Sequence, residues 1–238
     1  MTRLLFREDA YRAEAPLRIR AVTAEGAIIP EASLFYPTGG GQPGDSGWIE
    51  TGGRVLRIAT ARRGEGGAVL LIPEPGQELP PPGATGTQRI DWDIRHRLMR
   101  MHTALHLLSV VLPFPVTGGQ IGPDRSRLDF DMPDPPGDPA AIEAALNALI
   151  AADHPVAEDW ITDAELQANH GLVKTMAVRP PMGQGRVRLV RIGAGEPPID
   201  LQPCGGTHVR STGEIGRVAL GRIEKKGRQN RRVSILLA

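Results

Sequence analysis

The run Arg97-Leu98-Met99-Arg100-Met101-His102-Thr103-Ala104-Leu105-His106-Leu107-Leu108 decides how the second half of the chain is read. Leu98, Met101, Leu105, Leu108 and Leu112 recur at helical spacing, so a helix is expected from about Asp93 to Leu112 with that row as its core face. Pro113 ends it, since a proline has no N–H to give to the next turn. His102 and His106 stand four apart, which puts both imidazoles on one helix face, one turn above the other. Each lies one position beyond a core residue, at the edge of the buried stripe. A metal held there would be partly shielded and still reachable.

The chain's single cysteine occurs much later, in Pro203-Cys204-Gly205-Gly206-Thr207-His208. Three of the six histidines and the sole thiol therefore fall into two pairs, HxxxH and CxxxH. Taken alone, a helical HxxxH is more often ordinary helix surface. Joined to the only cysteine in a matching pair, it makes His102, His106, Cys204 and His208 a candidate zinc site built from two distant segments. Zinc takes imidazole nitrogen and thiolate sulfur readily, with four protein ligands in structural sites and three plus water in catalytic ones. The CxxxH segment cannot be a regular helix with Gly205-Gly206 at its centre and Pro203 before it. A tight turn would bring Cys204 and His208 together. The metalloprotease signature needs a glutamate beside its first histidine, and here that neighbour is Thr103, so peptidase chemistry is not expected. His96 falls on another helix face, and His154 and His170 stand next to helix ends.

Net charge is only +1, so bulk electrostatics announce no nucleic-acid partner, but the distribution does. From Arg217 to Arg232, seven basic residues face one acid, Glu224. This arginine-rich run, with Arg222, Lys225, Lys226, Arg228, Arg231 and Arg232, is the candidate phosphate-contacting surface; a merely solvated face is the competing reading. A lone cysteine forms no internal disulfide, which fits a reducing compartment, and no run approaches the roughly 20 apolar residues of a membrane span. The N-terminus has no apolar core of signal-peptide length. The expected address is cytoplasmic, with no membrane partner.

Residues 1–88 are expected to form a small β-barrel domain. Leu17, Ile19 and Ala21 alternate with Arg18 and Arg20, and Val55–Ala59 and Ala68–Ile72 read as further short strands around a glycine-rich turn. Within it lies Phe35-Tyr36-Pro37-Thr38-Gly39-Gly40-Gly41-Gln42-Pro43-Gly44-Asp45-Ser46-Gly47. Three successive glycines cost more backbone entropy on ordering than an ordinary turn requires. Either this is a floppy surface loop, or Gly39, Gly40 and Gly41 let bare backbone approach a ligand or another surface. No GK[ST] follows and the glycine spacing is not that of a dinucleotide site, so no nucleotide cofactor is expected. The Pro- and Gly-rich stretch 73–88 reads as a linker, which puts a boundary near residue 88.

Residues 89–238 read as a second, α+β domain. After the His102–His106 helix come a strand over Arg127–Met132 and a helix over Pro139–Ala152 capped by Asp138. A strand over Val156–Ile161 leads into a capping box at Thr162-Asp163-Ala164-Glu165. Arg186–Ile192 alternates cleanly, and Ile215–Ile223 with Val233–Leu237 close the chain as strands.

Four segments carry a family resemblance. The run Ile90-Asp91-Trp92-Asp93, continued by Arg97–Leu108, resembles the editing domain of alanyl-tRNA synthetases and their freestanding AlaX-type relatives. Asp200-Leu201-Gln202-Pro203-Cys204-Gly205-Gly206-Thr207-His208-Val209 does likewise. The glycine loop is similar to that of the medium-length members, which carry an extra N-terminal β-barrel, and Asn230-Arg231-Arg232-Val233 is similar to the family's basic end. Helices mixed with mostly hairpin-linked strands give this second domain as a two-layer α/β sandwich. The resemblance implies a zinc-dependent hydrolase that removes serine, and glycine, from wrongly charged alanine tRNA. A chain this short has no room for a synthetase catalytic domain, so the editing would occur in trans.

The implied chemistry is attack of water on the ester joining amino acid to ribose, with zinc lowering the water's pKa and polarising the carbonyl. Thr117 and Gln120 match the family's pocket-lining segment, and Asp200 is a candidate base or a partner of the metal ligands. Two other readings stay open: a non-catalytic RNA-binding module in which closed zinc coordination only holds the fold, and editing of another tRNA such as that for threonine.

Overall fold

Alternation at the start of the chain becomes the lining of a closed barrel. In this computed structural model, which describes residues 1–173 and 185–238, the chain divides into two compact units, Met1–His96 and Arg97–Ala238. The first contains β1 (Arg3–Leu4), α1 (Leu5–Glu8), β2 (Glu14–Val22), β3 (Ile28–Pro30), β4 (Ala32–Ser33), β5 (Gly47–Thr51), β6 (Arg54–Arg63), β7 (Val69–Pro73) and β8 (Thr85–Ile90). Short β1 and β4 pair in parallel, and the other six strands close in the order β2-β3-β7-β6-β5-β8. In β2, Ala15, Leu17 and Ile19 are buried while Arg18 and Arg20 face out. They meet Ile28, Ile49, Ile58 and Leu71 from the other strands in one core. Each such aliphatic side chain contributes about 1.5–3 kcal/mol on full burial.

Strand β8 falls on the end of the stretch that reads as a linker. Thr85–Ile90 pairs with both β2 and β5 and completes the barrel, although Gly86 and the polar run around it carry little apolar alternation. Gly86 is needed there because a Cβ would stand 1.9 Å from the Glu50 carbonyl oxygen.

The glycine loop is pinned at its base. The Tyr36 amide donates to the Asp45 carboxylate at 2.5 Å, and the Asp45 amide returns to the Tyr36 carbonyl at 3.0 Å. The Tyr36 hydroxyl donates to Gly39 O, and Gly39 pairs with Gln42 across the loop. Gly40 and Gly41 turn the tip in left-handed conformations (φ 59° and 81°) and are exposed. Asp45 is itself held by Arg95, whose guanidinium is fully buried, with Nε 2.9 Å from Oδ1. The remaining Arg95 donors reach Ala10 O and Leu34 O.

Helix α2 (Trp92–Val111) carries HxxxH, and the division between the units falls within it. There follow β9 (Val116–Gln120), β10 (Arg125–Asp131), α3 (Pro139–Ala151), β11 (Val156–Thr162), α4 (Asp163–Ala168), β12 (Arg186–Ile192), β13 (Asp200–Pro203), β14 (Val218–Lys225) and β15 (Asn230–Leu237). They form an antiparallel sheet in the order β14-β15-β10-β9 and a second one in the order β11-β12-β13. The caps of α3 and α4 form as their sequences predict: Asp138 accepts from Ala140 N, and Thr162 and Glu165 make a reciprocal capping box. Asn147 of α3 bonds both the N–H and the carbonyl of Val218, which fixes the start of β14. That strand begins later than Ile215, because Thr212–Ile215 coil into a 3-10 turn and Gly216 turns at φ 69°. No described helix is long and apolar enough to cross a membrane.

Asp45→Ala would leave the Arg95 cation buried without its carboxylate. It is expected to lower unfolding stability by about 3–5 kcal/mol in urea titration; a loss below about 1 kcal/mol would show that the pair matters little to the barrel.

Candidate metal centre

Helix α2 presents more than one stripe to the interior. Every residue from Leu98 to Ser109 except Arg100 is buried, including His102 and His106 at 6% and 8% exposure. The two histidines are thus inside, not at an edge, and such a helix must satisfy its polar side chains locally.

Their partners arrive on the turn after β13. Arg188 of the adjacent β12 shapes that turn, donating from Nη1 to Cys204 O at 2.7 Å and to Gly206 O at 3.0 Å, while the Cys204 amide donates to Arg188 O. Glu158 accepts from the other end of the same guanidinium. Gly205-Gly206 lets the chain reverse, and the Gly206 amide points at Cys204 Sγ, 3.5 Å away. The result is convergence of all four side chains. Cys204 Sγ lies 3.5 Å from His102 Nε2 and 3.2 Å from His208 Nε2, and the ligand atoms of His102, His106, Cys204 and His208 all lie within 4.8 Å of one another. Adjacent ligand atoms around a tetrahedral ion with bonds of about 2.0–2.3 Å stand roughly 3.5 Å apart, so the donor set fits a metal ion.

Further side chains hold the ligands. His106 Nδ1 lies 2.8 Å from Asp200 Oδ2, and Gln202 Nε2 donates to both oxygens of that carboxylate and to Ser109 Oγ. Thr103, the residue that stands where a metalloprotease has its glutamate, bonds His208 Nδ1 at 3.1 Å.

These contacts set the charges. Burial is the largest influence on His106 and pulls its pKa down, but the Asp200 hydrogen bond and the Cys204 sulfur outweigh it and raise the value to about 10. Burial, joined by His102, drives His208 to about 3. Burial pushes the Cys204 thiol up, yet the imidazoles around it hold it well below its usual value. Without an ion, the cluster at neutral pH is therefore a thiolate beside an imidazolium on His106.

The remaining sequence candidates lie elsewhere in the fold. Thr117 and Gln120 are on β9: the Thr117 hydroxyl bonds Asp129 O and Asn230 Oδ1, and Gln120 accepts from Arg127. Among the described residues, none of these hydrogen bonds reaches the four ligands. Gly39, Gly40 and Gly41 belong to the first unit. The basic run separates into two kinds. Arg222, Lys225, Lys226 and Arg228 are exposed, with Arg222 at a register shift in β14. Arg231 is buried against Pro133 O, and Arg232 grips both oxygens of Asp129 through Nε and Nη2. Arg188, Ser109 and Gln202 escape sequence reasoning. Strand alternation gives no sign that Arg188 turns inward to carbonyls on a neighbouring segment.

With the geometry in place, known proteins add a second line. Residues 187–234 match the family model described as "Threonyl and Alanyl tRNA synthetase second additional domain". A Methanosarcina mazei protein named "Alanyl-tRNA editing protein AlaX-M" is 31% identical over 250 residues, covering 98% of this chain and 95% of that protein. Its Methanosarcina acetivorans namesake is 32% identical, covering 100% and 99%. A Pyrobaculum aerophilum "Alanine--tRNA ligase" is 33% identical over 233 residues, but the chain spans only 25% of that ligase.

The proton held on His106 at neutral pH must leave when an ion binds. Raising the pH removes this competitor, so apparent affinity for Co2+, followed by its visible bands, is expected to rise about tenfold per pH unit from 7 to 9 and to level off near the His106 pKa of about 10. A pH-independent affinity would contradict the charge assignment.

Proposed function

Since the chain belongs to the alanyl-tRNA editing proteins of the AlaX-M kind, we propose that it deacylates wrongly charged alanine tRNA, removing serine and glycine in trans. One observation carries this reading: the four ligands meet in a chain that aligns end to end with proteins of that name. The reaction has a physical need. Serine differs from alanine by one hydroxyl, which a pocket shaped for alanine rejects only weakly, so a second, hydrolytic site is the remedy.

The ion is zinc, held by His102, His106, Cys204 and His208; three imidazoles and one thiolate suit that borderline-soft metal. When bound it supplies Lewis acidity, lowering the pKa of nearby water and polarising the ester carbonyl. Asp200 is committed to His106 and Gln202, which supports an orienting role for it over that of a free base. Thr117 and Gln120 form part of the amino-acid pocket wall; what supports this is their place on β9 in the same unit as the ligands. The editing domain is a two-layer α/β sandwich, and the chain works in the cytoplasm, where a lone thiol stays reduced.

Exposed Arg222, Lys225, Lys226 and Arg228 contact tRNA phosphates, whereas Arg231 and Arg232 serve the fold through Pro133 and Asp129. The glycine tip at Gly39–Gly41, exposed at Gly40 and Gly41, is the further RNA contact. A second reading, editing of threonine tRNA, draws on the family model that spans both synthetases, but the whole-length AlaX-M matches favour alanine.

Incubated with the purified chain, seryl- and glycyl-tRNA for alanine should decay about 100-fold or more faster than alanyl-tRNA. Intact seryl-tRNA would overturn the reading, and faster loss of serine from threonine tRNA would favour the second one. Cys204→Ala should abolish hydrolysis while tRNA binding persists; a chain that is inactive before substitution and unfolds after it would instead be a zinc-stabilised binding module. Replacing Arg222, Lys225, Lys226 and Arg228 with glutamine should reduce the salt dependence of tRNA binding, by about 0.7–0.9 in log–log slope for each phosphate that the chain no longer neutralises.

A further inference from the structure

Each ligand histidine has two ring nitrogens, and only one tautomer offers the right one to an ion. The surroundings of Thr103 determine which tautomer His208 takes. Thr103 is fully buried, at 0% exposure, so its hydroxyl is satisfied by protein groups. A hydroxyl has one proton to donate and two lone pairs to accept with. Three groups surround it: Met99 O at 3.0 Å, His208 Nδ1 at 3.1 Å and the Val209 amide at 3.4 Å. The carbonyl can only accept, so it takes the hydroxyl proton. The amide can only donate and occupies one lone pair. The second lone pair faces His208 Nδ1, which must therefore carry the hydrogen.

His208 is then an Nδ1–H imidazole with Nε2 unprotonated, and that nitrogen is the one lying 3.2 Å from Cys204 Sγ. A parallel arrangement governs His106. Its Nδ1 faces the Asp200 carboxylate at 2.8 Å, and Gln202 fixes that carboxylate by donating to both of its oxygens. The Ser109 hydroxyl, which donates to His106 O, accepts from Gln202 and anchors the relay to the helix.

We infer that Thr103 and Asp200 are positioning residues that hold His208 and His106 as Nδ1–H tautomers, so that both rings present Nε2 to the metal. Thr103 occupies the sequence position of the metalloprotease glutamate, but its hydroxyl is turned to a ring nitrogen and a carbonyl, and it acts through His208. The inference rests on the metal-centre part of the proposed function and deepens it: the residue between the two helix histidines serves the ligand on the other segment.

The test uses the full chain, Zn2+ alone and no tRNA, so that it reads the metal centre separately from deacylation. Long-range proton–nitrogen correlation of the Zn2+-loaded wild-type chain should show His106 and His208 protonated at Nδ1 and metal-bound at Nε2. Nδ1 ligation of either ring would overturn the inference. Thr103→Val keeps the shape and removes the hydroxyl; it should weaken Zn2+ binding by about 10–100-fold, while Thr103→Ser stays near wild type. A folded Thr103→Val chain with wild-type affinity would overturn it as well. Should that variant fail to fold, the wild-type spectrum decides alone. Tight Zn2+ binding with the expected tautomers in a chain that leaves seryl-tRNA intact would uphold the inference and sink the proposed function. A wild-type chain that takes up no Zn2+ would end both.

Discussion

Three imidazoles and a thiol share one buried cluster, and the cost of taking such groups out of water has to be offset on the spot. Much of the second unit serves that need. Asp200, Gln202 and Ser109 answer His106, Thr103 answers His208, and Arg188 holds the carbonyls of the turn that delivers Cys204. Each of these residues has a partner in the network, although Arg188 Nε is buried without one among the described residues. A metal ion held there would add the positive charge that a thiolate in such a place calls for. The network is carried by a helix buried from Leu98 to Ser109 except at Arg100, and by a strand of the three-stranded sheet with the turn that follows it. His102 and His106 are placed by the helix itself, whereas Cys204 and His208 lie on the turn after β13, which Arg188 holds through the Cys204 and Gly206 carbonyls.

What was readable in the sequence and what was not divides along a physical line. HxxxH and CxxxH were legible because residue type and local spacing carry the information: a helical repeat of four and a glycine-permitted turn. The caps of α3 and α4, the alternation in β2, the strand at β12 and the closed barrel were legible for the same reason, but burial in β12 does not alternate, since Val187 to Val190 are all buried. Strand β8 was not, since it is defined by its pairing with β2 and β5 and its own residues look like a connector. Strand β9 has the same difficulty, since Gly118-Gly119 at its centre carries no side-chain alternation and a register shift lies opposite it. Arg188, Arg231 and Arg95 look like solvent-facing cations and turn inward to carbonyls or a carboxylate on distant segments. Long-range partners of this sort leave no local pattern.

The proposed chemistry has to accommodate a full set of protein ligands. Four of them around one ion form the closed arrangement typical of structural sites, and a thiolate among them donates charge that softens Lewis acidity. Much of the work therefore falls to the protein: fixed rings, a dry surround, and a substrate ester held in position. Proximity and orientation of this kind account for large rate factors without unusual metal reactivity. Editing a serine ester also asks for discrimination, and in the proposed function that task belongs to the polar side chains of β9, Thr117 and Gln120.

The claim at the centre is that one zinc ion joins the α2 histidines to the Cys204–His208 turn. Zinc K-edge absorption on the purified chain, with elemental analysis of the same sample, tests it most directly. One zinc per chain is expected, with three nitrogen neighbours at about 2.0–2.1 Å and one sulfur at about 2.3 Å. A shell without sulfur, or a metal-free chain that clears seryl-tRNA at full rate, would contradict it.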